Sequence, residues 1–386
     1  MYPRRLALPK RSFFLLGPRG TGKTTWLRDQ LPAARWYNLL LDREVLGLMR
    51  DPAQFRREVD ALPSGSWVVL DEIQRLPSLL NDVHDMLSLH PRRVMFALTG
   101  SSARKLRREQ ANLLAGRALS RRFFPLAAAE FGLDVPVDDL LRFGCLPAVR
   151  SEPDPALRIE LLEAYRDTYL TEEIRNEALV KSLDSFGRFL EVAALMNGQV
   201  TNLAAIARDA GVARPTVQGY FEALVDTLIG AWLPAYRPRA RVKEVAHPKF
   251  YFFDPAVARV LGGRSREPLE SAERGPLLET YVFHELRAYL HDSGAGGDLA
   301  YWRTPSRSEV DFIWTRGKKR LALEVKASSR WRAGDGRALE ELSHALQGTR
   351  CLAVYLGAQP QKDGAISVLP LSVFLAELSA GELVPA

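Results

Sequence analysis

The sequence contains two sets of residues whose types and spacing suit phosphate chemistry, and the first lies near the N-terminus. It comprises Gly17, Pro18, Arg19, Gly20, Thr21, Gly22, Lys23, Thr24 and Thr25. Residues 17–24 fit G-x-x-x-x-G-K-[ST], in which glycines let backbone N–H groups surround phosphates. Lys23 would reach the β- and γ-phosphates, and the Thr24 hydroxyl would hold Mg²⁺. The loop therefore predicts a site for ATP and Mg²⁺.

An apolar run at residues 67–70, WVVL, leads directly into the carboxylates Asp71 and Glu72. Downstream of a phosphate-binding loop in the same α/β region, this pair indicates the second half of an ATPase site. We expect Asp71 to position Mg²⁺ through water and Glu72 to polarise the attacking water.

Further candidates for the nucleotide site follow in the chain. Thr99 and Ser101 come after the apolar run at 94–98, and they either sense the γ-phosphate or simply end the strand. Arg117, with Arg121 and Arg122 nearby, is a candidate arginine finger towards a neighbouring subunit. A solvated surface arginine is the alternative for each of the three.

The second set lies near the C-terminus: Glu279 in a predicted helix, Asp311 in the strand EVDFIW, and Glu324 and Lys326 in LALEVKA. Residues two apart on a strand share a face, and a hairpin would bring Asp311 to it. Carboxylates with a backbone carbonyl would hold Mg²⁺ or Mn²⁺, and a lysine could activate water against a phosphodiester. A surface ion pair is the alternative, although unpaired charges in an apolar strand are costly. Glu285 is a second candidate for the helix acid.

The middle of the chain carries a candidate DNA-binding region. Residues 201–229 predict two helices joined at 211–213, which resembles a winged helix-turn-helix. The second helix would expose Arg214 and Gln218, too few side chains for sequence-specific recognition. The ribbon after it would place four cations on one face as a DNA phosphate track: Arg237, Arg239, Arg241 and Lys243. A charged edge strand, or a module that docks on the ATPase without DNA, is the alternative.

These sites require an α/β scaffold. Short apolar runs alternate with helical stretches over residues 11–130, which predicts a mostly parallel sheet. Residues 137–230 have a helical pattern, and a polar segment then leads to a second α/β unit with the helix PLLETYVFHELRAYL. We therefore expect an ATPase core at 1–132, a helical lid at 133–198, a winged helix at 199–262 and a C-terminal α/β domain at 263–386.

Several segments resemble the AAA+ ATPases of a large prokaryotic family with a poorly characterised C-terminal region: GPRGTGKT, WVVLDEIQ, LTGSSARKL, LAGR with FPLAAAEF, FGCLPAV and HPKFYFFDPAVARVL. The C-terminal spacing is similar to the PD-(D/E)xK nuclease fold, especially its archaeal Holliday-junction-resolvase-like branch. That resemblance implies an active centre of Glu279, Asp311, Glu324 and Lys326. No proline precedes Asp311, which departs from the PD-(D/E)xK pattern, although several branches of that fold also lack it.

Composition limits the class of protein. The 386 residues are 47% apolar with a net charge of +7, which favours a polyanionic partner. Cys145 and Cys351 are the only cysteines, so neither a disulfide framework nor a zinc cluster is expected. The N-terminus lacks the apolar core of a signal peptide, and no run approaches membrane-spanning length, so we expect a cytoplasmic protein without membrane contact.

Together these features predict an ATP-hydrolysing, homo-oligomeric protein that binds DNA, with branched DNA as the expected substrate. It would remodel that DNA or cleave it with the metal-dependent C-terminal site. Two alternatives remain: a DNA-binding or branch-migrating ATPase whose nuclease fold does not cleave, and an ATP-dependent switch that controls a protein partner.

Overall fold

The computed structural model of the protein describes residues 2–90, 92–101, 114, 116–168, 182–237 and 247–384. The chain forms two compact units. One comprises residues 6–125 and 226–229, and the other comprises residues 1–5, 126–225 and 230–386. Among the described helices, none combines the length and the apolar content that a membrane crossing requires.

The smaller unit is built on a parallel five-stranded sheet in the order β2-β3-β4-β1-β5. Its strands are β1 (Phe13–Leu16), β2 (Arg35–Asn38), β3 (Ser66–Asp71), β4 (Val94–Gly100) and β5 (Leu119–Arg122). The helices between them are α1 (Lys23–Gln30), α2 (Asp42–Arg50), α3 (Pro52–Asp60) and α4 (Leu79–Leu89). The parallel sheet predicted from the alternating sequence pattern is confirmed.

Both faces of this sheet are covered, because alternate strand residues point to opposite sides. Phe14, Val68 and Leu98 belong to one buried cluster with side chains of α2, α3 and α4. Phe13 and Val69 belong to another, with side chains of α1. Burial on both faces explains why these strands are almost continuously apolar, and it leaves the polar residues at the strand ends.

A largely helical region follows in the larger unit, as the sequence pattern predicts. It comprises α5 (Ala128–Phe131), α6 (Val137–Phe143), α7 (Pro147–Ser151), α8 (Pro155–Thr168), α9 (Leu183–Leu195), α10 (Leu203–Asp209), α11 (Arg214–Asp226), β6 (Gly230–Leu233), β7 (Lys249–Phe252) and α12 (Pro255–Leu261). Asn202 caps α10 by accepting the N–H groups of Ala204 and Ala205, both at 3.1 Å. Gly211 has φ of +66° at the predicted junction of α10 and α11.

Aromatic rings hold α9, α11 and the β6–β7 hairpin together. The T-shaped contact of Phe189 with Phe221 has a centroid distance of 4.9 Å, and Phe221 also meets Phe250 at 4.7 Å. Phe250 in turn packs on Trp232 across the antiparallel β6–β7 pair. Such contacts add about 0.5–1.5 kcal/mol each beyond burial. The hairpin is therefore fixed firmly on the helices that precede it.

The C-terminal part contains a mixed six-stranded sheet in the order β12-β13-β11-β10-β9-β8. Its elements are α13 (Ser271–Ser293), β8 (Asp298–Arg303), β9 (Glu309–Arg316), β10 (Lys319–Lys326), α14 (Arg337–Ala345), β11 (Thr349–Tyr355), β12 (Gln361–Asp363), β13 (Ile366–Pro370) and α15 (Leu371–Ala380). Strands β8, β9 and β10 are antiparallel neighbours, whereas β10, β11 and β13 run parallel. The second α/β unit predicted from the sequence is therefore present, as a mixed sheet.

One boundary differs from the sequence prediction. The helix PLLETYVFHELRAYL is predicted to begin at Pro276, but α13 already begins at Ser271. The Glu273 carboxylate accepts the N–H of Glu270 at 3.1 Å, which completes a capping box, and it also pairs with Arg259 at 2.9 Å. These contacts stabilise a helical start that hydrophobic periodicity cannot detect.

Candidate functional sites

The glycines of the N-terminal loop allow its backbone to curve tightly. Gly20 and Gly22 have φ of +78° and +90°, a conformation that side-chain-bearing residues rarely adopt. At Gly17, a Cβ atom would lie 2.1 Å from the carbonyl oxygen of Phe123, the residue after β5, so only glycine fits there. The Thr21 hydroxyl donates to the Pro18 carbonyl at 2.9 Å and closes the turn.

Lys23 lies inside the curve of this loop. Its buried ammonium donates to the carbonyl oxygens of Gly17 at 2.8 Å and Pro18 at 3.0 Å. The helix α1 begins at Lys23, so its positive end faces the same space. Arg19 and Thr25 are exposed on the loop and the helix. The loop thus combines backbone N–H groups, a helix N-terminus and an ammonium group, which are suited to phosphate groups.

The carboxylate of Asp71 connects the loop to the neighbouring strands. Thr24 Oγ1 donates to its Oδ1 and Oδ2 at 3.1 and 3.0 Å, and Thr99 Oγ1 donates to Oδ1 at 2.6 Å. The three residues meet because parallel strands end at one edge of the sheet. Burial raises the pKa of Asp71, an effect that the Thr99 hydrogen bond opposes. The hydroxyl of Thr24 and the carboxylate of Asp71 are hard oxygen donors that fit Mg²⁺.

Glu72 follows Asp71 in a left-handed conformation, with φ of +61°. Its backbone N–H donates to Thr99 Oγ1 at 2.9 Å, and its Oε2 accepts from Ser101 Oγ at 3.3 Å and from Gln74. Thr99 and Ser101 therefore position Glu72, a role that the sequence analysis did not include, and sensing of the γ-phosphate by Thr99 or Ser101 stays a prediction. Arg117 is exposed just before β5, and its role as an arginine finger stays a prediction.

The candidate DNA-contacting residues are only partly described. Arg214 and Gln218 are exposed on α11, whose opposite side buries Val217 and Tyr220. The Gln218 side chain donates to Glu222 at 3.2 Å. Arg237 is exposed, while Arg239, Arg241 and Lys243 lie outside the described residues. Their role in binding DNA therefore stays a prediction.

Three of the four C-terminal candidates lie close together on the paired strands β9 and β10: Asp311, Glu324 and Lys326. Asp311 on β9 accepts the Val325 N–H of β10 at 2.8 Å through Oδ2. On the same strand, Lys326 Nζ donates to Glu324 Oε1 at 2.6 Å. The other oxygen, Glu324 Oε2, is buried and has no hydrogen-bond partner among the described residues. A buried, unpaired carboxylate oxygen is costly, and it indicates a place for a further donor or a cation.

A residue that the sequence analysis missed, Lys249, lies among these carboxylates. Its Nζ is 2.6 Å from Glu309 Oε1, 3.6 Å from Glu279 Oε2 and 3.8 Å from Asp311 Oδ1. The hydroxyl of Tyr251 donates to Glu279 Oε2 at 3.1 Å. Lys249 begins the apolar strand KFYF, so the criterion that singled out Glu324, a charge in an apolar strand, could have found it. Predicting its partners would have required the tertiary structure.

Glu279, Glu309, Asp311 and Glu324 are called the carboxylate cluster below, and burial raises the pKa values of Glu279, Asp311 and Glu324. Burial first and the Asp311 charge second raise the pKa of Glu279 and of Glu324. Burial alone would lower the pKa of Lys249, but Glu279, Asp311 and Glu309 raise it above its usual value. The cluster therefore stabilises positive charge.

The carboxylate cluster meets only some of the requirements of a metal site. Among the described residues, no group of three or more His, Cys, Asp or Glu side chains could hold a metal ion. Glu279, Asp311 and Glu324, which the sequence predicts as metal ligands, do not form such a group, and Glu279 instead contacts Lys249 and Tyr251. Asp311 and the unpaired Glu324 oxygen still suit a hard divalent cation. The other candidate acid, Glu285, lies elsewhere and accepts the Ala128 N–H at 2.7 Å.

Comparisons with known proteins agree with the geometry of the N-terminal site. Residues 9–132 match a family model described as an AAA domain. This stretch of the chain is therefore similar to an AAA domain. Residues 136–267 and 274–374 of the chain match two further models, each described as a domain of unknown function. A search of curated proteins found no significant match.

Solved structures similar to the chain include the ORC2 protein of Aeropyrum pernix, with 14% identity over 66% of this chain and 87% of that one and a TM-score of 0.38. The Aeropyrum pernix ORC1 protein in complex with DNA has 16% identity over 67% and 87%, with a TM-score of 0.29. Thermotoga maritima RuvB has 16% identity over 58% and 82%, also with a TM-score of 0.29. These scores support no argument about the function of this chain.

Proposed function

We propose that this AAA+ protein hydrolyses ATP to act on DNA, and that its C-terminal carboxylate cluster is a phosphodiester-cleaving centre. ATP hydrolysis is supported by the hydrogen-bond network in which Thr24 and Thr99 both donate to Asp71. Thr99 also orients Glu72 through its backbone N–H. In this arrangement Lys23 binds phosphate oxygens, Thr24 and Asp71 hold Mg²⁺, and Glu72 accepts a proton from the attacking water.

DNA cleavage is supported by the chemistry of the C-terminal residues. Asp311 and Glu324 would hold Mg²⁺ or Mn²⁺, which when bound would supply positive charge to a phosphodiester. Lys326 lies 2.6 Å from Glu324 and is partly exposed, so it can orient water beside these carboxylates. The helix pair α10 and α11, the β6–β7 hairpin and the net charge of +7 are consistent with a DNA partner.

A second candidate is DNA binding and remodelling without cleavage. The position of Lys249 favours it, because an ammonium group already neutralises part of the carboxylate cluster. The two candidates share the ATPase site and the DNA partner. They differ in whether the phosphodiester bond is broken.

The test uses purified protein with labelled linear, forked and four-way-junction DNA, with Mg²⁺ or Mn²⁺, and with or without ATP. We expect Lys23→Ala to lose ATP hydrolysis and Asp311→Asn to lose cleavage while keeping ATP hydrolysis and DNA binding. Binding without cleavage by the unmodified protein would favour the second candidate. Failure to bind any DNA would refute both and favour a switch that acts on a protein partner.

A further inference from the structure

Lys249 is buried at the centre of the carboxylate cluster. Lys249 is 2% exposed, and its Nζ lies within 4 Å of carboxylate oxygens from α13 and β9. The aromatic ring of Tyr301 lies 5.5 Å from the ammonium group, which adds a cation–π contact. A lysine is stable in such a position only when carboxylates compensate its charge.

Several hydrogen bonds fix the strand that carries this lysine. Asn197, which is buried, accepts the N–H of Phe252 on β7 at 2.9 Å and donates to Thr280 on α13 at 2.7 Å. On the other side, the Tyr301 hydroxyl of β8 donates to the His247 carbonyl at 2.5 Å. Strand β7 is therefore tied both to the helix and to the sheet that supply the carboxylates, so the position of Lys249 is built into the fold.

The charges of the cluster do not balance. Four carboxylates (Glu279, Glu309, Asp311, Glu324) face the ammonium groups of Lys249 and Lys326 and the guanidinium of Arg303, which lies 3.4 Å from Glu309, so one negative charge remains when all are ionised. The excess lies beside Glu324 Oε2, which is buried and has no hydrogen-bond partner among the described residues. A divalent cation at Asp311 would meet the ammonium of Lys249 only 3.8 Å from Oδ1, and like charges at such a distance repel.

We propose that Lys249 is a tethered cation that competes with divalent metal for the carboxylate cluster, so that metal binds tightly only when this ammonium is removed or displaced. The inference rests on the proposed cleavage site, because it describes how metal is admitted to that site. It also explains why the metal-binding trio expected from the sequence is not assembled. Lys249 belongs to the segment 136–267, whereas the carboxylates belong to the segment 274–374. The competition between Lys249 and the metal therefore links two segments that match separate family models.

The experiment measures Mn²⁺ binding to the full chain without nucleotide, by the electron paramagnetic resonance signal of free Mn²⁺. We expect Lys249→Met to bind Mn²⁺ at least tenfold more tightly than the unmodified protein. Lys249→Arg, which retains the charge, should show no such gain, and the double variant Lys249→Met with Asp311→Asn should lose it. Lys362→Met removes an exposed lysine of the same unit and controls for net charge.

A destabilised Lys249→Met protein still tests the inference, because Mn²⁺ should then raise its melting temperature more than that of the unmodified protein. Equal Mn²⁺ affinity in Lys249→Met, Lys362→Met and the unmodified protein would overturn the inference. DNA cleavage is measured separately on the same samples. If Lys249→Met binds Mn²⁺ more tightly but no DNA is cleaved, the role of Lys249 is supported and the nuclease function is refuted. If DNA is cleaved but the Mn²⁺ affinity of Lys249→Met is unchanged, the nuclease function is supported and the role of Lys249 is refuted.

Discussion

Thr99→Val tests whether the hydroxyl between Asp71 and Glu72 contributes to ATP hydrolysis. The Thr99 hydroxyl donates to Asp71 at 2.6 Å and accepts the Glu72 N–H at 2.9 Å. Valine has nearly the same shape as threonine but can form neither hydrogen bond. A hydrogen bond to a charged group contributes about 1.5–3 kcal/mol and a neutral one about 0.5–1.5 kcal/mol, so at least about 2 kcal/mol is lost. If this energy positions the groups in the transition state, kcat falls by about 30-fold or more.

The assay compares steady-state ATP hydrolysis with the affinity for a fluorescent ATP analogue. The affinity of Thr99→Val should change less than about threefold, since by our assignment the phosphates contact the loop and Lys23 rather than Thr99. Thr99→Ser keeps the hydroxyl and should retain kcat within a similar factor. A kcat within twofold of the unmodified value in Thr99→Val, or a parallel loss of nucleotide binding, would refute this reasoning.

Three further predictions concern stability and the loop. Asp254→Ala should lower the melting temperature by several degrees, because the Asp254 carboxylate accepts three buried N–H groups, worth at least about 2 kcal/mol together; Asp254→Asn should lower it less. Burial raises the pKa of Glu285 to about 7, so its contribution to stability is full below about pH 4.5 and is lost as the pH rises through 7. Between those pH values the melting temperature of Glu285→Gln should therefore fall less than that of the unmodified protein, and an equal fall would contradict this assignment. Gly17→Ala should abolish binding of the fluorescent analogue, since its Cβ would overlap the Phe123 carbonyl oxygen; unchanged binding would show that β5 can move aside.

The N-terminal site could be predicted from sequence because its parts are local. The loop at residues 17–24 lies between a strand and a helix in the chain itself, and Asp71 and Thr99 lie at the ends of apolar strands. Parallel strands bring their carboxyl ends to one edge, so the residues meet whatever the details of the packing. The pairing of Thr99 with the backbone of Glu72 could not be predicted, because it depends on the left-handed turn at Glu72.

The C-terminal site could be predicted only in part, because some of its residues come from distant parts of the chain. The β9–β10 hairpin joins neighbouring segments, and the sequence therefore places Asp311 near Glu324 and Lys326. Lys249 reaches the same site from a hairpin that packs through the aromatic contacts of Phe221, Trp232 and Phe250. Neither the hydrophobic periodicity nor the residue spacing of the sequence predicts that packing. Its consequence is large, because it gives Glu279 a lysine partner where a metal ion was expected.

Asn197→Ala separates the position of Lys249 from its charge. The substitution removes the hydrogen bonds that tie β7 to α13 and leaves the Phe252 N–H without its acceptor, so it should lower the melting temperature. If the fixed strand keeps Lys249 in the cluster, loosening it should also strengthen Mn²⁺ binding, by less than Lys249→Met does. Asn202→Ala is the matched control, because the two hydrogen bonds that it removes both lie within the cap of α10. An equal gain in Asn202→Ala would mean that general loosening admits Mn²⁺, whereas a destabilised Asn197→Ala with unchanged Mn²⁺ affinity would mean that the ion pairs alone hold Lys249.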